Sequence, residues 1–401
     1  MRPVANARAR GGEQPRRARF VSGSVLPMTS PSSLTAAPHA SPAPGVAAPS
    51  RPASPASGPS AGRRRRIGRI PGWARALAQL VARFYLRRPE LADAIAIRYR
   101  TPRAFVGGLL NELAYRFGWS RAPVLLSANL ELTNRCNLKC TFCPTADGRM
   151  ARPRGVMDDG LFARALDGAG PLEFALLFQW GEPLLHPRFA ALAASAADRG
   201  IRTLVTTNGT LLDDRRVAEL LAARVDRVTV SVDGDAATHE AVRGIPLART
   251  KEALRRLVAA RDAAGSPTAV DVSMVVAPET ERAVEAFRRE FEGTVDRVQT
   301  IPLLVRGERR TRCREPWRGG LVVLQDGRTT VCCVDHDGEL AVGDATTDRL
   351  EDLWNGPRMR ALRRAHVTGD LPPLCAGCAE YPTDAAAPRF SAPAPRPGAR
   401  P

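Results

Sequence analysis

The chain has 401 residues, of which 44% are hydrophobic, and it carries a formal net charge of +18. This hydrophobic fraction supplies a folded core and the length allows two domains with tails, which argues against a wholly disordered chain. No apolar run is long enough to cross a bilayer and none resembles a secretory signal, so the eight cysteines favour metal-bound thiolates in a reducing cytoplasm over a disulfide framework.

Residues 1–66 have the composition of a disordered tail. They hold eleven arginines against one acidic residue, Glu13, and are otherwise rich in proline, alanine, serine and glycine. Such a segment buries too little apolar area to offset the entropy lost on ordering. We interpret it as a solvated basic tail, with a nucleic-acid-binding arm as the less favoured alternative.

Residues 67–122 form a predicted helical extension. Their apolar residues recur at helical spacing, which indicates amphipathic helices packed against the main domain. The residues that carry this pattern are Trp73, Leu77, Leu80, Val81, Phe84, Leu91, Ala94, Ile95, Ile97, Leu109, Leu110 and Leu113. Because arginines stand on the polar faces, contact with a membrane surface is the alternative.

Residues 123–308 alternate between short β-branched runs and helical patterns. The predicted strands are Val124–Leu132, Phe174–Gln179, Arg202–Thr206, Arg227–Val232, Ala269–Val276 and Asp296–Leu304. Repeated strand–helix alternation predicts parallel β/α units, and six strands are too few to close an eight-stranded barrel. We therefore expect an α/β fold with a partial barrel or an open sheet, whose chemistry gathers at the C-terminal ends of the strands.

Residues 309–382 have a different pattern and are predicted to form a small α+β unit. Asp326-Gly327 lies between two apolar runs and is a strong hairpin signal. A single helix is expected through Leu350, Trp354 and Leu362. Residues 383–401 return to proline, alanine and arginine, and we expect a second disordered tail.

Cys136, Cys140 and Cys143 form a C-x3-C-x2-C run directly after the first predicted strand. A structural zinc site takes four ligands, and no further cysteine or histidine follows before His186. A cube of four irons also takes four, so three cysteines leave one iron open. The run therefore predicts an open iron–sulfur cluster at the C-terminal end of a strand.

This run, with the aromatic Phe142 before its last cysteine, resembles the cluster loop of the radical S-adenosylmethionine (SAM) family. Gly181-Glu182-Pro183, at the end of the second strand, is similar to the Gly-Gly-Glu-Pro motif of that family, with Trp180 in place of the first glycine. The resemblance implies a partial (β/α)6 barrel of the TIM type and a SAM-binding [4Fe–4S] cluster on the three cysteines. It also implies that Glu182 binds the methionyl amino group of SAM.

Two further strand ends are polar, Thr206-Thr207-Asn208-Gly209 and Ser231-Val232-Asp233-Gly234. In similar proteins such ends touch the cofactor or the substrate, although each alone is also typical of a turn. Arg243 is a candidate to bind a carboxylate, or forms a surface salt bridge. The cofactor-binding residues that the resemblance implies are Phe142, Gly181, Glu182, Thr207, Asn208, Ser231, Asp233 and Arg243.

The later cysteines provide four ligands from three places: Cys313, Cys332, Cys375 and Cys378. They resemble the auxiliary-cluster extension called SPASM in its shorter, one-cluster form, twitch, which implies an auxiliary [4Fe–4S] cluster on these four residues. Cys333 is then left over, and the choice between it and Cys332 rests on spacing alone. A four-cysteine zinc site is the main alternative for this region.

The resemblance implies an enzyme that cleaves SAM reductively to a 5′-deoxyadenosyl radical, which abstracts hydrogen from a substrate. The shorter extension favours dehydrogenation of a sugar, polyol or aminocyclitol, with the auxiliary cluster as electron acceptor; modification of a peptide is the alternative. An external one-electron donor such as flavodoxin or ferredoxin is also implied. Asp335 and His336 are candidate proton carriers, or else a turn residue and an exposed histidine.

A hypothesis from another class is a non-catalytic zinc or iron–sulfur module with a nucleic-acid-binding tail. It predicts zinc in the isolated protein and salt-sensitive binding to DNA or RNA.

Overall fold

The computed structural model describes residues 72–81, 83, 100–146, 148–307 and 312–380. Both predicted tails lie outside the described residues, as do the predicted helix positions Phe84, Leu91, Ala94, Ile95 and Ile97. The helical extension contributes α1 (Gly72–Leu80) and α2 (Pro102–Arg116). No helix among the described residues is long and apolar enough to cross a membrane.

Six parallel strands lie side by side in chain order in the main sheet, and the last of them forms one of its edges. They are β1 (Ser127–Leu130), β2 (Phe174–Leu176), β3 (Arg202–Thr207), β4 (Arg227–Ser231), β5 (Ala269–Val276) and β6 (Arg297–Pro302). The accompanying helices are α3 (Asp159–Asp167), α4 (Phe189–Asp198), α5 (Asp214–Ala222), α6 (Ala236–Arg243), α7 (Leu247–Ala263) and α8 (Val284–Phe291). Each strand pairs in parallel with the next. The arrangement confirms the predicted α/β fold with a partial (β/α)6 barrel.

Aspartate caps explain where three of these helices begin. The carboxylates of Asp158, Asp213 and Asp235 accept hydrogen bonds from N–H groups in the first turns of α3, α5 and α6. Helix α6, which the sequence pattern did not predict, ends at Gly244 with a φ of 72°. Helix α7 begins at Leu247, directly after Pro246.

The two faces of the parallel strands differ in chemistry. On the outer face, apolar side chains join the core that the helices cover, and in β4 and β5 these are Val228, Val230, Val270, Val272 and Met274. Because side chains alternate along a strand, the intervening residues lie on the inner face. Those residues are Arg227, Thr229, Ser231, Asp271 and Ser273.

The C-terminal segment extends the same sheet beyond β1. Its elements are β7 (Leu304–Arg306), β8 (Gly320–Val323), β9 (Arg328–Thr330), β10 (Gly343–Asp344), α9 (Leu350–Trp354), α10 (Pro357–Thr368), α11 (Pro373–Ala376) and β11 (Cys378–Glu380). Strand β8 pairs in parallel with β1, and β9 then pairs antiparallel with β8 as the predicted hairpin. Strands β7 and β11 form a separate two-stranded sheet.

The single helix expected through Leu350 and Leu362 is wrong: α9 and α10 are two helices. Gly356 adopts an extended conformation before Pro357, which starts α10. The buried guanidinium of Arg363 donates to the carbonyl of Trp354 at 2.9 Å and to the side chain of Asn355 at 2.8 Å. These bonds satisfy polar groups that the end of α9 leaves unpaired.

The chain between α2 and β1 is held by the C-terminal segment. The indole N–H groups of Trp317 and Trp354 donate to the carbonyls of Trp119 and Ala122, at 2.7 and 2.9 Å. Buried indole donors of this kind fix both position and direction of the backbone they bind.

Candidate active site

The loop after β1 presents Cys136, Cys140 and Cys143 at the C-terminal edge of the sheet. All three thiols are half-buried and none of the eight cysteines forms a disulfide. A tight turn orders the loop, since the N–H of Cys143 donates to the carbonyl of Cys140 at 3.0 Å. Phe142 lies in the same loop and is also half-buried.

Gly181 brings the end of β2 directly onto this loop. Its φ is 91°, and a Cβ here would lie 2.5 Å from the carbonyl oxygen of Thr133 and 2.7 Å from that of Arg135. The adjacent N–H of Glu182 donates to the carbonyl of Arg135 at 2.8 Å. Arg135 immediately precedes Cys136, so only glycine allows this approach to the cysteine loop.

Glu182 is fully buried and joins β2 to β3. One carboxylate oxygen accepts from the N–H of Leu184 at 3.1 Å and the hydroxyl of Thr207 at 2.8 Å, and the other from the N–H of Asn208 at 2.7 Å. Burial raises the pKa of Glu182, and these hydrogen bonds oppose the rise. A carboxylate offers about four acceptor positions, so one remains for a further donor.

Asn208 connects the end of β3 to the cysteine loop. Its amide nitrogen donates to the side-chain oxygen of Asn137 at 2.9 Å and lies 3.9 Å from the sulfur of Cys136. Its amide oxygen accepts from the N–H and hydroxyl of Thr210. The end of β3 therefore touches the loop at its first cysteine.

Helix α6, which follows β4, meets the loop on its other side. The N–H of Thr141 donates to the carbonyl of Val242 at 3.0 Å. Arg243 and Asp233 form a buried ion pair, in which Nε of Arg243 lies 2.7 Å from Oδ2 of Asp233. Neither of these two atoms makes a well-aligned hydrogen bond. Burial raises the pKa of Cys140 to about 11, and the charge of Arg243 opposes the rise. The pair places a cation beside Cys140, and Arg243 does not form the surface salt bridge that was its alternative.

A buried ion pair that sequence reasoning missed links the site to the C-terminal segment. The guanidinium of Arg152 makes two bonds of 2.9 Å to the carboxylate of Glu131, which follows β1. Glu131 also accepts from the N–H of Gln325 at 3.0 Å. Arg152 further binds the carbonyl of His336 and, through its N–H, the carboxylate of Asp337. A charged residue within an apolar strand run was the available signal for Glu131.

Trp180, where the family motif has glycine, packs against the same C-terminal segment. Its indole ring meets the imidazole of His336 edge to face, with centroids 5.9 Å apart. The neighbouring Gln179 donates to the carbonyl of Cys333 at 2.8 Å. Asp335 is buried and accepts from the hydroxyl of Thr330 and from two backbone N–H groups, so it is a turn residue.

The later cysteines lie near both sheets to which the C-terminal segment contributes strands. Cys375 is in α11 and Cys378 begins β11, where it pairs with Arg306 of β7. Cys332 and Cys333 follow β9, and their side chains share a hydrogen bond that raises the pKa of Cys332. Cys332 is half-buried whereas Cys333 is exposed.

The donor chemistry of the first three thiols fits an iron–sulfur cluster better than a single ion. No three Cys, His, Asp or Glu side chains of the described residues converge on one point where a metal ion could bind. A cube of four irons spreads its ligands over separate irons, so its sulfurs need only surround it. Half-buried thiols on a single turn, outside any disulfide, meet that requirement.

Comparison with known proteins identifies two domains in this chain. The family model described as Radical SAM superfamily matches residues 130–291, and the SPASM model, described as an iron-sulfur cluster-binding domain, matches residues 313–379. Together the two matches cover more than half of the 401 residues.

Curated relatives match over part of the chain. The "AdoMet-dependent heme synthase" of Methanosarcina barkeri is 36% identical over 129 residues, which are 32% of this chain and 36% of that protein. The "Tungsten-containing aldehyde ferredoxin oxidoreductase cofactor-modifying protein" of Pyrococcus furiosus is 34% identical over 166 residues, 40% of this chain and 46% of that protein. The chain thus spans less than half the length of these curated relatives.

A solved structure shares the fold. SuiB of Streptococcus suis, bound to S-adenosylmethionine, aligns with a TM-score of 0.51 and 13% identity, covering 73% of this chain and 83% of that one. The two matched domains imply a SAM-binding [4Fe–4S] cluster and an auxiliary iron–sulfur cluster. The chain belongs to the radical SAM superfamily and carries a C-terminal SPASM domain.

Proposed function

We propose that this radical SAM enzyme dehydrogenates an alcohol group of a small, hydroxyl-rich substrate such as a sugar, polyol or aminocyclitol. The observation that carries the proposal is the polar inner face of β4, β5 and β6. Strand register places Ser231 beside Ser273 and Ser273 beside Gln299, in one layer across the three strands. No described residue makes a hydrogen bond to the side chain of Ser231, Ser273 or Gln299.

A charged layer lies one step closer to the N-terminal ends of these strands. Asp271 is fully buried and accepts from both Arg227 and Arg297, the second at 3.0 Å. Because Asp271 holds both guanidinium groups, they form a floor beneath the inner face rather than an open binding site. The hydroxyl and amide layer above it presents donors and acceptors together, which suits neutral hydroxyl groups.

In this proposal the residues of the cysteine loop and of the neighbouring strand ends have separate roles. Cys136, Cys140 and Cys143 hold the first cluster, and Glu182 offers its remaining acceptor position to the methionyl ammonium of SAM. Thr207 and Asn208 fix the Glu182 carboxylate, while Gly181 and Phe142 shape the loop around the cofactor. Ser231 binds substrate at the inner face.

On the β4 side, the buried pair of Asp233 and Arg243 has a supporting role in this proposal. Because each charge already neutralises the other, we assign them to orienting the loop at Cys140 rather than to direct contact with the cofactor. This differs from the direct cofactor contact that the family resemblance implies for the two residues.

Held by Cys136, Cys140 and Cys143, the first cluster would supply the electron for reductive cleavage of SAM, and the auxiliary cluster would accept the second electron of the substrate oxidation. We assign the auxiliary ligands to Cys313, Cys332, Cys375 and Cys378. The alcohol proton needs an acceptor, and the half-buried His336 of the C-terminal segment packs against Trp180, which follows β2. We propose that its imidazole takes this proton.

The test uses the full chain, reconstituted anaerobically with iron and sulfide and reduced by flavodoxin or a chemical reductant. A panel of polyols and aminocyclitols is assayed for 5′-deoxyadenosine and for a carbonyl product. We expect one substrate to give both in equal amounts. Cys378→Ala should keep SAM cleavage but lose the carbonyl product, and Gln299→Leu should raise KM at unchanged SAM cleavage without substrate.

Two results would refute the dehydrogenation. One is a panel in which no alcohol raises 5′-deoxyadenosine above the rate without substrate while a peptide does. The other is a Cys378→Ala variant that makes the carbonyl product at the rate of the unchanged protein.

A further inference from the structure

Large hydrophobic side chains are exposed mainly on one part of this protein. Of the ten that are exposed among the described residues, seven lie between positions 73 and 119. These seven are Trp73, Leu77, Leu80, Val106, Leu110, Phe117 and Trp119. We call them the apolar patch.

The apolar patch is organised by helical spacing in α1 and by aromatic contacts near the two ends of α2. Trp73, Leu77 and Leu80 recur at intervals of four and three residues, which places them on one face of α1. The ring of Trp73 meets that of Phe105 in α2, with centroids 6.3 Å apart. At the other end of α2, Phe117 and Trp119 stack with centroids 5.9 Å apart.

The aromatic members stand out from the surface. Trp73 is 41% exposed, Trp119 48% and Phe117 70%. Side chains that line a cleft for a bound peptide are shielded by its walls, and these are not. Exposed apolar side chains that cluster on a folded protein mark contact with another surface.

The charge of the chain is concentrated in the same region of the sequence. Residues 1–121 hold twenty-one arginines and four acidic residues, so they account for all but one unit of the net charge of +18. Around the patch, Arg75 and Arg121 are exposed, and the single described acid, Glu112, pairs with Arg116 and Arg314. The catalytic part of the chain is close to neutral.

We propose that the apolar patch and its arginines bind the surface of an anionic lipid bilayer. Exposed aromatic and leucine side chains on short helices enter the boundary between headgroups and acyl chains, while arginines remain among the anionic headgroups. A nucleic acid would be attracted by the arginines but would not bury the leucines. The proposal is independent of the reaction proposed above, because no residue of the patch belongs to the cysteine loop or the strand ends.

The test is sedimentation of the full, cluster-loaded chain with lipid vesicles. One set is phosphatidylcholine alone and the other contains phosphatidylglycerol. We expect binding to the anionic vesicles, weakened by salt, and little binding to the neutral ones. Replacing Arg75 and Arg121 by glutamine should weaken binding about fivefold for each arginine. The matched control is Arg255→Gln, an exposed arginine on α7, which should leave binding unchanged.

A double variant with Trp73→Gln and Phe117→Gln tests the apolar contribution. We expect binding to fall by at least about tenfold, with a melting temperature lowered by no more than about 4 °C, because Trp73 loses its contact with Phe105 while Phe117 is mostly exposed. Equal binding by this variant and the unchanged protein would overturn the proposal, as would absence of binding to anionic vesicles. If the unchanged protein is a dimer that this double variant dissociates, the patch binds a second copy of the chain. If the variant loses more melting temperature than expected and the unchanged protein does not bind vesicles, the patch packs against the chain's own residues. Either result would also overturn the proposal.

Discussion

Gly181→Ala should damage the cysteine loop without touching a cysteine. The added Cβ would lie 2.5 Å from the carbonyl oxygen of Thr133, where ordinary contact begins at 3.4 Å, so that oxygen must retreat by about 0.9 Å. The obstacle is backbone on both sides, because the carbonyl of Arg135 is 2.7 Å away. The displaced segment leads directly into Cys136.

The size of the effect follows from two terms. A residue other than glycine at a φ of 91° costs on the order of 1–2 kcal/mol, and overpacking against rigid backbone adds about 2 kcal/mol. Gly244→Ala is the matched control, because Gly244 also has a positive φ, 72°, but nothing lies within 4 Å of the position of its Cβ. The control variant should therefore show the cost of the positive φ alone, without the overpacking.

Urea denaturation and iron analysis of the two variants measure these terms. We expect Gly181→Ala to be about 2 kcal/mol less stable than Gly244→Ala. It should also lose about half of its iron, that of the first cluster. If the two variants have the same stability and the same iron content, the close approach of β2 to the cysteine loop is not what holds that loop.

Three further predictions test the surroundings of the site. Arg152→Met leaves the buried Glu131 carboxylate unpaired and should lower the free energy of unfolding, measured in urea, by about 3–5 kcal/mol. The control Arg188→Met breaks an exposed ion pair and should lower it by less than about 1 kcal/mol; equal losses would contradict the burial argument. Glu182→Gln turns an amide N–H₂ toward groups that donate to the carboxylate, so equilibrium dialysis should show SAM affinity lowered by at least about tenfold, and unchanged affinity would exclude Glu182 from cofactor binding. Burial and the nearby charge of Arg243 lower the pKa of His239 from 6.5 to about 4, so its contribution to stability is complete above pH 6.5 and is lost as the pH falls toward 4. His239→Asn should remove about 3 kcal/mol of this pH dependence of the unfolding free energy, and identical pH profiles would refute it.

Periodicity and turn chemistry predicted the elements well because they are local. The strand at Ala269–Val276 has the bounds that the sequence indicated, and the Asp326-Gly327 hairpin forms as β8 and β9. The split between α9 and α10 was also local, since Gly356-Pro357 signals a break, but the helical spacing of the flanking leucines concealed it.

Long-range pairing could not be predicted. Nothing in Gly320–Val323 indicates that it adds in parallel to β1, because a short apolar strand pairs equally well with many edges. That pairing brings Gln325 to Glu131 and the segment around His336 to Trp180. The residues that join the two halves of the site were therefore found only in the structure, whereas the cysteines were evident from their spacing.

The most direct test of the central claim is SAM cleavage by the anaerobically reconstituted chain and its Cys140→Ala variant. We predict about eight irons per unchanged chain, about four in the variant, and 5′-deoxyadenosine from the unchanged chain alone. Undiminished 5′-deoxyadenosine formation by Cys140→Ala, or a colourless protein that holds zinc in place of iron, would contradict the assignment of the three-cysteine loop as the site of SAM cleavage.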